Sequence, residues 1–451
     1  MKILHVTYGY WPDPVGGTEQ YVAALSRELR HLGVESIVAA PGPADDRYEH
    51  DGIQVRRFRH LADGASLEAL YGDGDVRAAE AFDEILNDEA PDLVHQHAWS
   101  PACSIALVQR AKARGIPVVF TYHTPAVSCP RGTLLRRGTE PCDGRLDAHE
   151  CAACTLQGLG LGRVTSGILA RTPASLAEVI ARAGAAGGPW TALRMRALIA
   201  RRHAAIARLF TDADRIVALS PWVERLLELA RVPRSRVSVS AHGTAVSAVR
   251  PAASRERSDA PLRIAHLGRL HPAKGTEILI RALADAPRLD VTLDVFAIVQ
   301  PGDEEHARAI GRLASADPRV RVRTPLAHED VVDRLSEYDL VAVPSQGLET
   351  GPLVVLEAFA AGVPVVGSAL GGIADKVRDG VNGVLVQPHD SIAAWRDALV
   401  RCDADRGWIA SLRTRVPPPR TMAAVAGEMR SLYLGQLLHL RQGDGGQGFP
   451  A

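Results

Sequence analysis

Glu349-Thr-Gly-Pro-Leu-Val-Val-Leu-Glu357 is the stretch that decides the fold, because it forms a polar loop between two apolar runs. The run before it, Asp339–Ser345, is typical of a buried strand, and the run Leu353–Ala361 is typical of a buried helix. Glu349 would therefore follow the carboxyl end of a strand, and Glu357 would lie about two turns into the next helix. Ligands of open α/β sheets bind in the crevice beyond the carboxyl ends of the strands.

Spacing alone leaves the roles of these two glutamates open. A loop acid and a solvated helix charge would have the same spacing as two carboxylates of a binding site. Glu357, however, has apolar neighbours on both sides, and a carboxylate in such surroundings usually has a dedicated partner. The surroundings therefore favour a binding site.

The same alternation of short β-branched runs with longer helical runs extends in both directions and predicts parallel sheets in an α/β fold. The clearest helices are predicted at Glu19–His31, Ala78–Asn87 and Ser100–Ala113. Strands are predicted at Lys2–Thr7, Glu35–Ala40, Gln54–Phe58, Asp92–His95, Pro117–Tyr122, Arg215–Leu219, Arg236–Ser240, Leu262–Leu267, Val291–Ile298, Val320–Arg323, Leu340–Pro344, Val363–Val366 and Gly383–Val386.

One segment interrupts this alternation and divides the chain. Residues 246–261 are rich in Ala, Ser, Arg and Pro, which is typical of a linker. The sequence therefore predicts two Rossmann-like domains whose parallel sheets face each other across a cleft, a usual place for a ligand. The predicted parts are an N-terminal domain at 1–245 with a Cys-rich insertion at about 124–165, the linker at 246–261, a C-terminal domain at 262–418, a helix at 419–440 that crosses back to the N-terminal domain, and a disordered tail at 441–451.

Composition excludes several classes of function. Lys and Arg total 52 and Asp and Glu total 52, so the formal net charge is zero, which argues against a nucleic-acid-binding protein. The aromatic content of 5% also disfavours a base-stacking platform. The N-terminal residues Met1–Thr7 lack the long apolar core of a signal peptide, and no segment demands a membrane span. We therefore expect a cytoplasmic protein, in a compartment where disulfides are rare.

Two glycine pairs follow predicted strands. Gly16-Gly17 lies between the first strand and a helix, and Gly371-Gly372 follows the strand Val363–Val366. Glycine lets a backbone come close to a phosphate, and a helix N-terminus favours an anion. A tight turn and a flexible loop are the alternatives. The dinucleotide fingerprint G-x-G-x-x-G is absent, which disfavours a nicotinamide oxidoreductase.

Two cations flank a third loop, Gly268-Arg269-Leu-His-Pro-Ala-Lys274-Gly275, which follows the predicted strand Leu262–Leu267. A diphosphate needs paired cations, with Arg as a fork and Lys as a point charge. Two solvated loop charges are the alternative. The common location of the charged residues disfavours that alternative, because the two cations and the two glutamates all map to carboxyl ends of strands in one predicted domain.

In this combination and order the motifs resemble those of the retaining GT-B glycosyltransferases of the large group-1 family, family 4. The resemblance covers nearly the whole chain. It implies a GT-B fold and transfer of a sugar, with retention, from a nucleotide-diphosphate donor of UDP or GDP type to an unspecified acceptor, which is a glycan, a lipid-linked molecule or a small molecule. It rests on the two-domain layout, Gly16-Gly17, Gly268-Arg269 with Lys274-Gly275, Glu349-x7-Glu357, Ala361-Gly362-Val-Pro364 and Gly371-Gly372.

The resemblance also implies roles for individual residues. Arg269 and Lys274 would hold the donor diphosphate, Glu357 would bond the ribose hydroxyls, and Glu349 would contact the donor sugar. His123 matches a family histidine that follows an N-domain strand and lies beside the transferred sugar. The catalytic set is therefore Arg269, Lys274, Glu349 and His123. The donor-binding set is Gly16, Gly17, Gly268, Glu357, Gly351, Pro352, Leu353, Gly371 and Gly372.

The resemblance supplies no clear protein nucleophile, so the implied mechanism is front-face transfer. The resemblance also implies no catalytic metal or other cofactor at the donor. Catalysis would then consist of positioning and of charge stabilisation by Arg269 and Lys274. Thr350-Gly351 stand where the family often has Gly-Phe, so sugar selectivity stays open, whereas the reaction class does not. A second departure is Ala241-His242-Gly243-Thr244, which replaces the commoner Asn-Gly before the linker. The alternative functions are a GT-B sugar phosphorylase or epimerase, and a zinc-containing scaffold or binding protein without catalysis.

Four of the six cysteines lie close together in the insertion. Their spacing is C-x12-C-x8-C-x2-C, and its closing C-x2-C half is typical of a zinc knuckle. A structural Zn²⁺ is therefore predicted, with an iron–sulfur cluster and free thiols as the alternatives. The predicted ligands are Cys129, Cys142, Cys151 and Cys154.

A basic helix is predicted at Leu193–Phe210. Its five arginines would form either a solvated face or a surface for peripheral contact with the inner membrane face or a lipid-linked acceptor. They are Arg194, Arg196, Arg201, Arg202 and Arg208.

Overall fold

Two units make up the chain in the computed structural model, which describes residues 1–61, 66–185, 187–245, 260–300 and 302–444. The first unit is Met1–Ala241 together with the segment that starts at Met422, and the second is His242–Thr421. The boundary lies four residues before the predicted end of the N-terminal domain. Residues 246–259 of the predicted linker and 445–451 of the predicted tail lie outside the described residues.

The strands belong to two large sheets and one short hairpin. They are β1 (Lys2–Val6), β2 (Glu35–Gly42), β3 (Asp46–His50), β4 (Ile53–Arg59), β5 (Leu93–Gln96), β6 (Val118–Tyr122), β7 (Leu135–Arg136), β8 (Glu140–Pro141), β9 (Arg215–Ala218), β10 (Val237–Val239), β11 (Leu262–Arg269), β12 (Val291–Ile298), β13 (Val320–Arg323), β14 (Leu340–Val343), β15 (Val365–Ser368) and β16 (Gly383–Val386).

The helices connect these strands and cover the sheets. They are α1 (Gly17–His31), α2 (Val76–Glu89), α3 (Ile105–Ala113), α4 (Ala148–Gly158), α5 (Arg163–Leu169), α6 (Ala174–Arg182), α7 (Gly188–Asp212), α8 (Pro221–Leu229), α9 (Thr276–Ala284), α10 (Glu304–Ser315), α11 (Val331–Leu335), α12 (Leu353–Ala360), α13 (Gly371–Lys376), α14 (Ile392–Ala404), α15 (Arg406–Arg413) and α16 (Met422–Asp444). Within the described residues, no helix is both long and apolar enough to cross a bilayer.

The sheet of the first unit has the order β10-β9-β6-β5-β1-β2-β4-β3. All of its neighbours pair in parallel except β3, which pairs antiparallel with β4. The polar edge strand β3, with the sequence Asp-Arg-Tyr-Glu-His, has no apolar run and was not predicted. Charged edge strands of this kind are common, since they discourage pairing with other chains.

The sheet of the second unit is parallel throughout, in the order β13-β12-β11-β14-β15-β16. This is the doubly wound arrangement in which the direction of strand addition reverses between β11 and β14. The observed bounds of β12, β13 and β16 equal the predicted ones. The loops after β11 and β14 therefore flank the point at which such sheets bind ligands.

Helix α16 completes the first unit. Its side chains share one apolar cluster with residues of α1 such as Leu25 and Leu29. The predicted helix at 419–440 differs from α16, which runs from Met422 to Asp444 and so takes in the first four residues of the predicted tail. The members of α16 that belong to the cluster are Met422, Val425, Ala426, Met429 and Tyr433.

Helix α7 contains the predicted basic helix but does not present all its arginines to solvent. Arg194 is buried and donates to a carboxylate oxygen of Glu68. Arg202 donates to the backbone oxygen of Ala126. The expectation of a single five-arginine face is therefore wrong, because two of the five guanidinium groups bind inside the unit.

Candidate active site

The centre of the candidate site is an ion pair between loops that follow β11 and β14. Lys274 Nζ lies 2.8 Å from Glu349 Oε1, although the two residues are 75 positions apart. The Ser345 hydroxyl donates to the same oxygen. The two sequence motifs thus meet at the point where the sheet order reverses, which is where ligands of such sheets bind.

Glu349 is a carboxylate with a fixed counter-charge. Burial by itself would raise the pKa of Glu349, but the charge of Lys274 and the hydrogen bonds from Lys274 and Ser345 lower it below its ordinary value. The side chains of Lys274 and Glu349 are 38% and 20% exposed, so a ligand could still reach both. At neutral pH Glu349 is therefore an ionised carboxylate, and the pair is partly open to a ligand.

Gly275 is what allows the loop after β11 to approach β14. Its φ of +71° is in the left-handed region, and a Cβ at this position would lie 1.8 Å from the backbone oxygen of Pro344. Such a contact with backbone cannot be relieved by a side-chain rotation. Only glycine therefore fits between Lys274 and the helix α9 that follows it.

Arg269 binds a different partner from the one expected for a diphosphate cation. Its Nε lies 3.0 Å from Asp303 Oδ2, and its Nη1 donates to Gln300 Oε1 at 2.6 Å. Both partners come from the loop after β12, the strand next to β11. Both predicted cations are therefore held by protein groups, and a phosphate would have to compete with Asp303 and Glu349 for them.

Glu357 lies five residues into α12, and so about one turn into the helix instead of the predicted two. Its side chain is 15% exposed, and His328 Nδ1 lies 3.7 Å from its Oε1. Burial raises the pKa of Glu357 to about 7. The carboxyl group is therefore poised between its neutral and ionised forms, and hydrogen-bond donors from a ligand would favour the ionised form.

We expect Glu357→Gln to make stability less dependent on pH. The folded-state pKa of about 7 exceeds the ordinary value of 4.5, so ionisation of Glu357 lowers stability as pH rises between these values. The loss is about 3 kcal/mol above pH 7, and glutamine avoids it. Urea unfolding at pH 4.5 and 8.5 measures the effect. The unfolding free energy of the variant, relative to that of the parent, should be higher at pH 8.5 than at pH 4.5.

The exposed Glu305 provides the control for this measurement, since a surface substitution such as Glu305→Gln should change stability by less than about 0.5 kcal/mol at both pH values. If Glu357→Gln shifts stability equally at both, Glu357 does not titrate near neutrality in the folded protein.

The remaining predicted donor-binding residues of the second unit lie in β11 and at the starts of α12 and α13. Gly351, Pro352 and Leu353 lead into α12, and Gly268 is the residue before Arg269 in β11. Gly372, at the start of α13, donates its N–H to the backbone oxygen of Glu349 at 2.7 Å, and a Cβ there would lie 2.6 Å from that oxygen. The loop that carries Glu349 is therefore tied to the loop of Gly371 and Gly372.

In the first unit, Gly16 and Gly17 lie where the loop after β1 enters α1. The N–H of Gly16 donates to Glu19 Oε2 at 2.8 Å. Glu19 is buried, and burial raises its pKa despite hydrogen bonds from backbone N–H groups. An anion at this loop would therefore meet a nearby carboxyl group that already uses one of the glycine N–H groups.

His123 follows β6 at the same edge of the sheet and ends a chain of buried histidines. The ring of Tyr21, on α1, packs edge-on against His123 at 4.9 Å between centroids. His123 Nε2 lies 3.0 Å from His97 Nδ1, and His97 Nε2 lies 3.1 Å from His5 Nδ1. His97 follows β5 as His123 follows β6, so the carboxyl-end rule that found His123 could also have found His97.

The direction of this hydrogen-bond chain follows from its inner end. Burial lowers the pKa of His5 to about 3, so the ring is neutral, and its Nε2 has no hydrogen-bond partner. A buried N–H without an acceptor is costly, so His5 carries its proton on Nδ1 and donates to His97. A His97 ring that accepts this hydrogen bond at Nε2 would donate from Nδ1 to His123 Nε2, which orients the ring of His123.

The ligand atoms of His5, His95 and His97 lie within 4.8 Å of one another, so this group meets one distance criterion for a metal site. Both nitrogens of His95 are already hydrogen-bonded, to Tyr433 and Thr121, each at 2.7 Å. Both nitrogens of His97 belong to the chain described above. The geometry therefore favours a hydrogen-bond network that orients His123.

The four cysteines of the insertion are free and line one cavity of about 470 Å³. Burial, and then the neighbouring Cys142 and Cys129, raise the pKa of Cys151 to about 12. Burial likewise raises the pKa of Cys142. Without a cation these two groups are therefore neutral thiols.

The comparison with known proteins identifies the family. The family model "Glycosyl transferases group 1" matches residues 261–405, and the model "Glycosyltransferase Family 4" matches residues 15–146. A D-inositol 3-phosphate glycosyltransferase of Xylanimonas cellulosilytica is 36% identical, over 88% of this chain and 85% of that protein. A protein of the same name from Salinispora tropica is 35% identical, over 88% of this chain and 76% of that protein. This chain is a group-1 glycosyltransferase of family 4.

Solved structures confirm the fold predicted for this glycosyltransferase. Sucrose-phosphate synthase from Thermosynechococcus elongatus aligns with a TM-score of 0.67 and 21% identity, over 97% of this chain and 99% of the other. Anabaena HepE in complex with UDP and glucose aligns with a TM-score of 0.62 and 17% identity, over 96% and 100%. The fold is GT-B, with two Rossmann-like domains.

Proposed function

We propose that this glycosyltransferase moves a sugar, with retention of configuration, from a nucleoside diphosphate sugar held by the second unit. The ion pair of Lys274 with Glu349 at the sheet's reversal point is the observation that carries the proposal. A diphosphate at this point would take over Lys274 as its counter-charge and would release Glu349 to accept hydrogen bonds from sugar hydroxyls. Binding of the donor and placement of Glu349 would then be one event.

Charge stabilisation is the chemical task of the two cations. As the bond between sugar and diphosphate breaks, negative charge grows on the leaving phosphate, and fixed cations stabilise it without reorganisation. Lys274 and Arg269 are suited to this because each is held by one carboxylate, from Glu349 and Asp303, and both are partly exposed. No metal ion is required in this scheme, since the two cations supply the counter-charge.

Glu357 is suited to bind the ribose of the nucleotide. Two adjacent hydroxyls donate hydrogen bonds best to an ionised carboxylate, and such bonds lower its pKa. Because the free group has a pKa of about 7, nucleotide affinity should rise as pH increases through neutrality. Affinity should stop rising once the free carboxyl group is fully ionised.

The relatives suggest which substrates to test first. The curated relatives are named for D-inositol 3-phosphate, and HepE was solved with UDP and with UDP-glucose. We propose UDP-sugars as the first donors and inositol 3-phosphate as the first acceptor. The sequence identities of 36% and 17% leave room for another sugar or acceptor, so the donor screen precedes the acceptor screen.

A thermal-shift screen of nucleoside diphosphates and their sugars tests the proposal. A ligand that binds only the folded state raises the melting temperature by mass action. We expect one nucleotide to raise the melting temperature of the parent protein. The same nucleotide should leave the melting temperature of Arg269→Ala unchanged. Product analysis of the sugar's anomeric configuration then tests retention. No shift with any nucleotide, or release of a sugar phosphate that requires inorganic phosphate, would contradict a nucleotide-dependent transferase.

A further inference from the structure

The insertion of the first unit contains a short hairpin, in which Leu135 is 2% exposed. Its hairpin consists of β7 and β8, which are two residues long each and pair only with each other within the described part of the chain. Two non-glycine residues of this hairpin, Leu134 and Arg137, have left-handed φ values of 50° and 56°. An isolated hairpin of this size is not stable in water.

The apolar cluster that contains side chains of α4 does not include the hairpin. Its buried members are contributed by α4, α7 and the end of α5, and they are Ala152, Leu156, Ala170, Met195 and Ile199. Small elements without a sufficient apolar core are usually cross-linked by disulfides or by a metal. A cross-link between the hairpin and α4 would therefore stabilise the insertion, and the four cysteines line one cavity together with residues of both segments.

We propose that these cysteines bind one structural Zn²⁺ as a tetrathiolate site that joins the hairpin to α4. Cys151 and Cys154 lie three positions apart on α4, and so on one face of the helix. Cys129 lies in a turn that its backbone oxygen closes by accepting from Gly132 N at 2.9 Å. Cys142 follows β8. The four therefore come from three short segments around one cavity.

Two of the sulfurs already accept hydrogen bonds of the kind that support metal-bound thiolates. Gly144 N donates to Cys142 Sγ at 3.5 Å, and Arg131 Nη1 donates to Cys154 Sγ at 3.7 Å. Arg131 is held in place closely, since Cβ atoms on Gly138 and Gly158 would lie 3.3 Å and 2.7 Å from its side chain. Neutral thiols are weak acceptors, whereas thiolates accept such bonds strongly.

The charges around the cavity also suit a tetrathiolate metal centre. A Zn²⁺ with four thiolates carries a net charge of −2. The cavity lining contains the acids Asp143, Asp147 and Glu150 and six arginines, and its formal charge is therefore +3. The six arginines are Arg131, Arg136, Arg137, Arg145, Arg163 and Arg171.

Four sulfur ligands select zinc over magnesium or calcium, which prefer oxygen ligands. Binding would release the four thiol protons to solvent and form four Zn–S bonds of about 2.3 Å. Among the described residues, the histidine group is the one that brings three or more ligand atoms within 4.8 Å of one another, so the four sulfurs lie farther apart than that. Zinc binding would therefore require the sulfurs to move closer together. The segments that would have to move are the turn that contains Cys129 and the short hairpin.

Metal analysis of the full chain, purified in a phosphine reductant without chelators, tests the proposal. We expect about one zinc per chain and no inorganic sulfide. Replacement of the zinc by Co²⁺ should give the thiolate charge-transfer band and the visible bands of tetrahedral cobalt. The double variant Cys151→Ser/Cys154→Ser should lose the metal, whereas Cys402→Ala, which changes a buried cysteine of the second unit, should keep it.

Three results would overturn the proposal. Iron with inorganic sulfide would identify a cluster in place of zinc. A metal-free protein whose four insertion thiols react with a thiol reagent would show that no metal is bound. Zinc retained by the double cysteine variant would place the ion elsewhere, and the histidine group would then be the next site to test. Cobalt spectra of the parent protein keep the test decisive if the variant fails to fold.

Discussion

Lys274→Gln should lower sugar transfer about a thousandfold, since loss of one preorganised cation or donor in an active site has effects of this size. Glutamine keeps most of the length of the side chain but cannot neutralise the leaving diphosphate. Nucleotide binding should weaken as well, because the charge acts on the donor before and during the reaction. Turnover with the donor found in the screen, and the dissociation constant of the nucleotide, measure the two effects.

The stability of this variant needs a separate control, because Glu349 would lose its counter-charge. An uncompensated, largely buried carboxylate destabilises the fold by about 2 kcal/mol. The double variant Lys274→Gln/Glu349→Gln removes both charges and should recover stability without recovering activity. Lys112→Gln is the matched control, since Lys112 is 33% exposed and pairs with Asp214 at 2.6 Å in the other unit. Full turnover in Lys274→Gln would show that Lys274 does not act on the donor.

Removal of α16 should prevent the first unit from folding. Among its residues, Val425, Met429 and Tyr433 are no more than 1% exposed. Burial of each large apolar side chain contributes about 1.5–3 kcal/mol, so loss of the helix costs on the order of 8 kcal/mol. That is comparable with the whole stability of a domain, about 5–15 kcal/mol. Chain truncated after Thr421 should therefore be insoluble or protease-sensitive in the first unit.

Point variants make the same prediction testable in soluble protein. Met429→Ala should lower the unfolding free energy by about 2–5 kcal/mol, as large-to-small changes in cores do. Its neighbour Arg430 is exposed, so Arg430→Ala should change stability by less than about 0.5 kcal/mol. Equal melting temperatures of the two variants would show that α16 does not contribute to the core.

The sequence predicts the sheets and the edge that carries the site well, for a physical reason. Buried parallel strands are short apolar runs, and three of them, β12, β13 and β16, have the predicted bounds. The rule that ligands bind at the carboxyl ends of strands placed Lys274 and Glu349 at one edge. Their direct contact could not be predicted, because it depends on which strands are neighbours and not on any spacing along the chain.

Other features could not be predicted because they depend on tertiary contacts alone. Asp75, for example, is buried and caps α2 by accepting a hydrogen bond from Arg77 N, although an Asp after a Gly is typical of a surface turn. Arg194 and Arg202 looked like members of an exposed basic face, although their partners lie far away in sequence. Polar residues reveal little about burial by themselves, since a charged group is buried wherever a partner is supplied.

The return of the chain to its first unit has a consequence for synthesis. When the first 241 residues have left the ribosome, the surface of α1 that receives α16 has no covering helix. The next 180 residues, 242–421, must be made first, which takes about 10–40 s at about 5–20 residues per second. The second unit is therefore synthesised before the first is complete, and until then the newborn chain exposes an apolar surface of the kind that promotes aggregation and that chaperones protect.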